Sequence, residues 1–214
     1  MMNYKNFSLG ELWTNGYLFW DDYTRNAFFI DPGGNMSDVL SYLQVHDLNL
    51  KMILLTHGHI DHIAGIPDIE NNNLVGDEIY VHHNDAWMLT NPPEDLQSLL
   101  NVHFGAITNF KELNSKQMIT FDSFKIKIIE TPGHTEGSVC FLITDAQDHK
   151  VLISGDTLFA QSVGRTDLQG GDYYKLEQSL KLLSTLPDNL RVLPGHGSTT
   201  TIGTERDLNP YWPR

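Results

Sequence analysis

The sequence has little of three things: cysteine, long apolar runs and positive charge. One cysteine, Cys140, occurs among 214 residues, so no disulfide can form within the chain and a reducing compartment is expected. No uninterrupted apolar run is long enough to span a bilayer, and the first residues lack the basic, apolar, small-residue pattern of a secretory signal. We therefore expect a cytoplasmic protein that does not enter a membrane.

The charge of the chain is strongly one-sided. There are 27 acidic and 14 basic residues, which give a formal net charge of −13. Such a surface repels the phosphate backbone of nucleic acids, so the charge argues against a nuclease or a nucleic-acid-binding protein. No repeat or low-complexity linker divides the sequence, and its length suffices for a hydrophobic core. We therefore expect one domain over residues 1–214.

The most informative stretch is THGHIDH at residues 56–62, directly after an apolar run. It contains His57, His59, Asp61 and His62, and imidazole and carboxylate groups are standard ligands for zinc, iron and manganese. Histidines at positions i and i+2 converge easily at the end of a strand but cannot share a helix face. Asp61 and His62 follow where a helix could begin, so they can point at a second ion. The motif indicates a two-metal hydrolytic site.

Three further predicted strands lead through Gly or Pro turns into a candidate ligand. Loops at strand ends present side chains from a rigid scaffold, so ligand sites collect there. The ligands that follow strands 125–130, 151–154 and 191–193 are His134, Asp156 and His196, respectively.

Seven side chains thus form a candidate metal site, and Asp156 is suited to bridge two ions because a carboxylate has two oxygen atoms. Two ions about 3.5–4 Å apart would hold a water between them and lower its pKa from ~15.7 to ~7. Attack on a carbonyl would follow, with the oxyanion stabilised by the ions, so acyl transfer to water is the expected reaction. The partition assumed is His57, His59 and His134 for one ion, Asp61, His62 and His196 for the other, and Asp156 as the bridge.

The rest of the chain predicts strands, then helix, then strands, then helix, which two mixed sheets with helices outside would satisfy. A helix is expected after a cap at Asn35 or Ser37. Residues 90–113 are the least regular stretch and could form a loop over the site. The other predicted elements are strands at 17–20, 26–30 and 79–81, helices at 63–71, 85–89 and 174–186, and hairpin partners at 138–144 and 150–154.

Together with PGHT at residues 132–135, GD at 155–156 and GHG at 195–197, the THGHIDH motif resembles the metallo-β-lactamase superfamily. The resemblance covers nearly the whole chain and implies an αββα four-layer sandwich with two mixed β-sheets flanked by helices. Within that superfamily, the chain is most similar to the short bacterial hydroxyacylglutathione hydrolases of the glyoxalase II-like group. That similarity rests on GDTLF at 155–159, GRTD at 164–167, GTER at 203–206 and NP at 209–210.

This resemblance implies hydrolysis of S-2-hydroxyacyl thioesters with two divalent ions, expected to be zinc. Asp61 and Asp156 are then the catalytic carboxylates. The C-terminal helical domain that holds glutathione in the long glyoxalase II enzymes has no counterpart before Arg214. Arg165 is the remaining candidate for a substrate carboxylate, because the guanidinium fork matches that group. The expected partner is a small-molecule thioester, whose thiol can be glutathione or another low-molecular-weight thiol.

Other functions compete with the hydrolase. GRTD followed by Gly170 and Gly171 also resembles the persulfide dioxygenases, which would hold one iron through His57, His134 and Asp156. A lactonase or β-lactamase is a third possibility, and the missing export signal argues against the latter. A non-enzymatic metal-bound protein is the fourth.

The remaining residues with chemical potential are expected to be structural. Asp31 is expected to support the ligands or its loop rather than bind a metal, and Cys140 is expected to be a small core residue. Five extra histidines are expected on the surface or in structural hydrogen bonds: His46, His82, His83, His103 and His149.

Overall fold

The computed structural model describes residues 2–72, 78–114 and 118–213. The chain divides into two compact units, Met2–Leu113 and Asn114–Arg214, called here the N-terminal and C-terminal units. Whether the two units behave as the one expected domain stays a prediction. Among the described residues, no helix combines the length and apolar character needed to cross a membrane.

A mixed six-stranded sheet forms the frame of the N-terminal unit. The first three strands pair antiparallel, and the remaining pairs are parallel. Ile30 lies opposite Leu54, and Leu54 lies opposite Tyr80, so three strands end at nearly the same level. In sheet order, the strands are β1 (Tyr4–Leu9), β2 (Thr14–Trp20), β3 (Asn26–Ile30), β4 (Asn49–Leu54), β5 (Ile79–His82) and β6 (Lys111–Leu113).

Among the described residues, four of the five helices of this unit contribute side chains to its core. Val39 and Leu43 of the first helix share a buried cluster with Phe29 and Ile53 of the sheet. The aliphatic and aromatic side chains of this cluster are the main source of its stability, because burial removes their apolar surface from water. The helices are α1 (Ser37–Val45), α2 (Ile60–Ile63), α3 (Ile66–Asn71), α4 (Ala86–Thr90) and α5 (Glu94–Leu99).

Two helix predictions in this unit are wrong in detail. The N-cap of α1 is Met36, and no side chain caps it. Asn35 Oδ1 instead accepts a hydrogen bond from Ser37 N at 2.9 Å, in a turn before the helix. The predicted helix over 63–71 is broken into α2 and α3, because Gly65 N donates to Pro32 O at 2.7 Å and Pro67 lies in the first turn of α3.

The segment expected to be irregular, residues 90–113, contains α5 and β6. Ile107 is buried with 3% of its surface exposed, and Phe104 and Phe110 pack against the same core cluster. These apolar residues therefore anchor the segment to its own unit. Its role as a loop over the site stays a prediction.

The C-terminal unit also contains a mixed six-stranded sheet. Its strands are β7 (Met118–Phe121), β8 (Phe124–Glu130), β9 (Val139–Thr144), β10 (Lys150–Gly155), β13 (Arg191–Pro194) and β14 (Thr200–Thr201), in the order β14-β13-β10-β9-β8-β7. The predicted hairpin is confirmed, since β9 pairs antiparallel with β10. β10 pairs parallel with β13, with Gly155 opposite Pro194. The residues that follow these two strands therefore leave the sheet at the same edge.

Two helices and a small hairpin complete this unit: α6 (Tyr173–Leu183), α7 (Ile202–Leu208), β11 (Leu158–Phe159) and β12 (Ser162–Val163). Asp172 caps α6 by accepting a hydrogen bond from Lys175 N at 3.1 Å. Leu176, Leu180 and Leu183 of α6 lie in the buried cluster at helical spacing, as predicted.

Cys140 lies on β9 and is completely buried, as expected for a core residue. Its Sγ lies 3.4 Å from Thr131 Oγ1. Burial raises the pKa of the Cys140 thiol to about 11. The thiol is therefore protonated at neutral pH and is a packing residue rather than a nucleophile.

Candidate metal centre

Four candidate ligands of the N-terminal unit follow the end of β4. Thr56 and His57 continue from the strand and are buried, and His59 is the N-cap of the short helix α2. Asp61 and His62 lie in α2, as the motif predicted, with His62 fully buried and Asp61 half-buried. The backbone at His59 is extended, with φ −66° and ψ 148°, and the helix begins at the next residue. His57 and His59 therefore precede the helix, whereas Asp61 and His62 lie within it.

These side chains face one another closely. The ring of His57 lies 4.8 Å from that of His59 and 4.1 Å from that of His62, measured between centroids. His62 Nε2 is 3.6 Å from Asp61 Oδ2. Two ligand atoms bound to one zinc ion at about 2.1 Å in tetrahedral geometry lie roughly 3.4 Å apart. The spacing of Asp61 and His62 therefore fits two ligands of one ion.

Asp31 fixes the proton positions on two of these histidines. It accepts hydrogen bonds from Thr56 N at 2.8 Å, Thr56 Oγ1 at 2.7 Å and His62 Nδ1 at 3.0 Å. The Thr56 hydroxyl has one hydrogen and gives it to Asp31, so its contact of 3.1 Å with His57 Nδ1 requires that His57 donate. Both histidines then have the Nδ1–H tautomer, so Nε2 carries the lone pair that a metal ion could accept.

The position of Asp31 follows from the register of the sheet. Asp31 N donates to Leu54 O at 3.1 Å, which continues the pairing of β3 with β4 by one residue and brings the carboxylate beside Thr56. Its backbone has φ 55°, a left-handed conformation that Asp adopts more readily than most residues. The expectation that Asp31 supports the ligands agrees with this geometry.

Further residues support the motif and were not predicted from the sequence. Asp85 is fully buried and its Oδ2 accepts a hydrogen bond from Gly58 N at 3.1 Å. Thr14 Oγ1 donates to Asp61 Oδ2 at 3.4 Å. A Cβ on Gly33 would lie 2.0 Å from Asp61 O, so only glycine fits there. These contacts join residues 27 and 47 positions apart, which no local pattern reveals.

The C-terminal unit presents the other three candidate ligands at one edge of its sheet. His134, Asp156 and His196 follow β8, β10 and β13, as the sequence predicted. Asp156 Oδ2 lies 3.6 Å from His134 Nε2 and 3.5 Å from His196 Nε2. One carboxylate oxygen therefore faces imidazole nitrogens from two separate strand ends, each at the spacing of ligands on a common ion.

The tautomer of His134 is also determined by its surroundings. His134 Nδ1 lies 2.7 Å from Arg165 O, and a carbonyl can only accept, so Nδ1 carries the hydrogen. Nε2, which lies on the side of Asp156, is then the nitrogen that could bind a metal. A Cβ on Gly164 would lie 1.8 Å from Asp156 O and 3.1 Å from His134 Cγ, so Gly164 allows the chain to pass between the two ligands.

Arg165 lies on the surface in a bidentate ion pair. Its Nε and its terminal NH2 group donate to the two oxygens of Asp167, both at 2.7 Å. These hydrogen bonds lower the pKa of Asp167 to about 2 and raise the pKa of Arg165. The predicted role of Arg165 in binding a substrate carboxylate stays a prediction, and its fork is engaged by Asp167 in this structure.

Solved structures define the class of this fold. The chain is similar to the crystal structure of BLEG-1 B3 metallo-beta-lactamase, with a TM-score of 0.86, 33% identity and coverage of 98% of this chain and 99% of that one. TTHA1623 in a di-iron-bound form gives a TM-score of 0.83, 32% identity and coverage of 97% and 99%. The crystal structure of ETHE1 from Myxococcus xanthus gives a TM-score of 0.74 and 28% identity, with coverage of 98% of this chain and 84% of that one. The predicted metallo-β-lactamase fold is confirmed.

Sequence comparison then defines the family. The model of the metallo-beta-lactamase superfamily matches residues 10–196. Hydroxyacylglutathione hydrolase GloC from Haemophilus influenzae is 36% identical over 200 residues, which are 92% of this chain and 92% of that protein. The chain belongs to the metallo-β-lactamase superfamily, as its motifs indicated.

Proposed function

We propose that the protein is a metal-dependent hydrolase that cleaves S-2-hydroxyacyl thioesters of a small thiol, such as lactoylglutathione, into the hydroxy acid and the free thiol. The observation that carries this proposal is the tautomer of His57, His62 and His134. Each ring is held by an acceptor at Nδ1, so that each presents Nε2 for a metal. The identity to GloC of Haemophilus influenzae supports the thioester as substrate class.

The proposal assigns seven ligands to two divalent ions, with zinc as the expected metal. All seven are among the histidine and aspartate residues that could hold a metal ion. The position of Asp156 Oδ2 between His134 and His196 supports a bridging role for this carboxylate. In this proposal, His57, His59 and His134 would hold the first ion, Asp61, His62 and His196 would hold the second, and Asp156 would serve both.

When bound, two such ions supply a water with lowered pKa and a Lewis acid for the thioester carbonyl. The residues of the chain hold the candidate ligands in position. Asp31 and the carbonyl of Arg165 orient imidazole rings, and Thr14 steadies Asp61. In this proposal, Asp61 and Asp156 are the catalytic carboxylates, because they also balance the positive charge of the ions, and Arg165 faces a carboxylate of the thiol portion.

Free-thiol release tests the proposed reaction. The purified protein, with its metal content measured, is given S-lactoylglutathione, and the thiol is followed with a chromogenic thiol reagent. We expect release that a chelator abolishes and that zinc restores. A β-lactam serves as the comparison substrate, because BLEG-1 is a metallo-beta-lactamase with a similar structure. Hydrolysis of the β-lactam without thiol release would contradict the thioester assignment.

The second candidate is a persulfide dioxygenase with one iron held through His57, His134 and Asp156. The GRTD motif with Gly170 and Gly171 favours it, the likeness to ETHE1 of Myxococcus xanthus partly supports it, and the di-iron form of TTHA1623 supports iron as an accepted metal. Oxygen uptake with glutathione persulfide, by protein containing one iron per chain, would favour the dioxygenase over the hydrolase.

The proposal also assigns setting and partners. The substrate is a small molecule, and the net charge of −13 disfavours nucleic acid. The single cysteine is compatible with the reducing cytoplasm. Fractionation of the source cells, with antibody detection of the protein in the soluble cytoplasmic fraction, tests this location.

A further inference from the structure

The carboxylate of Glu205 on α7 is fully buried and has three hydrogen-bond donors. Glu205 Oε2 accepts from Gln161 N at 2.7 Å and from Asn209 Nδ2 at 2.8 Å, and Glu205 Oε1 accepts from Thr200 Oγ1 at 2.5 Å. Asn209 Nδ2 also donates to Ser162 O at 3.0 Å. A buried carboxylate is tolerated only when it is hydrogen-bonded in this way. We call this pair of residues the Glu205–Asn209 clamp.

The clamp joins two segments that each follow a candidate metal ligand. Gln161 and Ser162 belong to the β11–β12 hairpin, which begins two residues after Asp156. Thr200 is in β14, four residues after His196. Gln161 has φ 59°, an uncommon conformation for a residue other than glycine, and its N–H is one of the donors to Glu205. The clamp therefore holds a strained turn in place.

The segment held by the clamp contacts the ligands directly. Phe159 in β11 packs edge-on against the ring of His196, with centroids 6.0 Å apart and planes at 79°. Beyond β12, Arg165 presents the carbonyl that accepts from His134 Nδ1 at 2.7 Å. The segment from Asp156 to Arg165 thus carries one candidate ligand, packs on a second and sets the tautomer of a third.

We infer that the Glu205–Asn209 clamp positions the metal ligands of the C-terminal unit and thereby sets their affinity for metal. Neither residue is one of the seven candidate ligands, so we assign both a positioning role. The clamp fixes the β11–β12 hairpin against β14, and through it the spacing of Asp156 from His134 and His196. The inference rests on the proposed function only in that these three residues hold metal.

The geometry of the clamp gives a conservative variant that should preserve it. In Glu205→Gln, the amide oxygen can occupy the Oε2 position and accept from Gln161 N and Asn209 Nδ2. The amide NH2 then occupies the Oε1 position and donates to Thr200 Oγ1, because a hydroxyl can accept as well as donate. Glu205→Ala removes all three bonds. The matched control is Glu177→Ala on α6, whose half-buried side chain is paired with Lys181 at the surface.

The test measures zinc affinity of the full chain by competition with a chromogenic chelator. It is made at a temperature where circular dichroism shows every variant folded. For Glu205→Ala, we expect a zinc dissociation constant raised about tenfold or more, the usual effect of losing support for metal ligands. Glu205→Gln should restore affinity to within about twofold of the wild type, and Glu177→Ala should leave it unchanged.

Two outcomes would overturn the inference. One is wild-type zinc affinity in Glu205→Ala together with a lower melting temperature of the metal-free protein, since this would make the clamp purely structural. The other is equal loss of affinity in Glu205→Gln and Glu205→Ala. If Glu205→Ala does not fold, Asn209→Ala replaces it, with the same expectation of weaker zinc binding. A wild type that binds no zinc would instead contradict the proposed function.

Discussion

At the scale of single residues, the Asp31 carboxylate reaches two candidate ligands at once. One of its oxygens accepts hydrogen bonds from both Thr56 Oγ1 and His62 Nδ1. The Thr56 hydroxyl oxygen in turn accepts from His57 Nδ1 and so orients that ring. Supporting contacts of this kind orient the ligand ring and raise its basicity, and their loss typically weakens metal binding. Asp31 is therefore expected to support two candidate ligands rather than to bind a metal itself.

We predict that Asp31→Asn weakens zinc binding about 10- to 100-fold while the protein still folds. Asparagine tolerates the left-handed backbone of this position, but its NH2 group cannot accept a hydrogen bond. In one amide orientation it faces the donor Thr56 N, and in the other it faces the donors Thr56 Oγ1 and His62 Nδ1. Chelator competition measures the affinity, and Asp38→Asn on the exposed face of α1 is the control. Equal affinity of Asp31→Asn and the control would contradict the supporting role of Asp31.

Arg165 and Asp167 give a prediction about the substrate. Asp167→Asn should release the guanidinium fork and lower KM for S-lactoylglutathione by about 1.5- to 5-fold, the range expected for one exposed ion pair. Arg165→Ala should raise KM, and kcat should change little in both variants. Since the pKa of Asp167 is about 2, the carboxylate stays ionised across the assay range and the effect should be the same at pH 6 and pH 8. Equal KM changes for a thioester without carboxylates would show that Arg165 does not bind the thiol portion.

At the scale of secondary-structure elements, α6 shows how a short amphipathic helix is held. Its buried leucines pack on Cys140, Leu152 and Val192 of the sheet, while Leu182 on the other face is 48% exposed. Two leucines of one helix therefore have opposite environments, which makes them a matched pair.

Leu180→Ala should lower the free energy of unfolding by about 2–5 kcal/mol, since it removes a buried side chain and leaves a cavity. Leu182→Ala should change it by no more than about 0.5 kcal/mol, because surface substitutions usually have effects of that size. Urea unfolding of the metal-free protein, followed by circular dichroism, measures both. Similar losses in the two variants would contradict the packing of α6.

The helices and strands that sequence analysis predicted are those with a recognisable pattern in their own residues. Strands that are short apolar runs bounded by turn residues, such as 26–30, and the leucine spacing of α6 were predicted closely. The helix over 63–71 was not, because its break depends on a bond from Gly65 N to Pro32 O, 33 residues away. β1 and α7 were missed for a related reason. β1 is defined by pairing with β2, and α7 is held by the buried Glu205.

The residues of the candidate site also fall into two groups, those that local motifs predict and those that depend on long-range contacts. The seven candidate ligands could be named from the sequence because they lie in four short motifs, each of which follows the end of a strand. The supporting roles of Asp85, Thr14 and Glu205 were not predictable, because each depends on a contact with a residue 27, 47 or 44 positions away in the chain, respectively. Long-range supporting contacts leave no periodic or turn signal in the sequence, and they emerge only when the fold is known.

At the scale of the whole molecule, the central claim is that turnover needs two metal ions. Metal-free protein is titrated with zinc, and both the bound zinc and the rate of S-lactoylglutathione hydrolysis are measured at each step, for the wild type and for Asp61→Ala. The account predicts that the wild type binds two zinc ions and that its rate rises mainly with the second. Asp61→Ala should bind one ion, keep its fold and lose turnover by orders of magnitude. Full turnover at one equivalent of zinc, or a near-normal rate in Asp61→Ala, would contradict the two-metal mechanism.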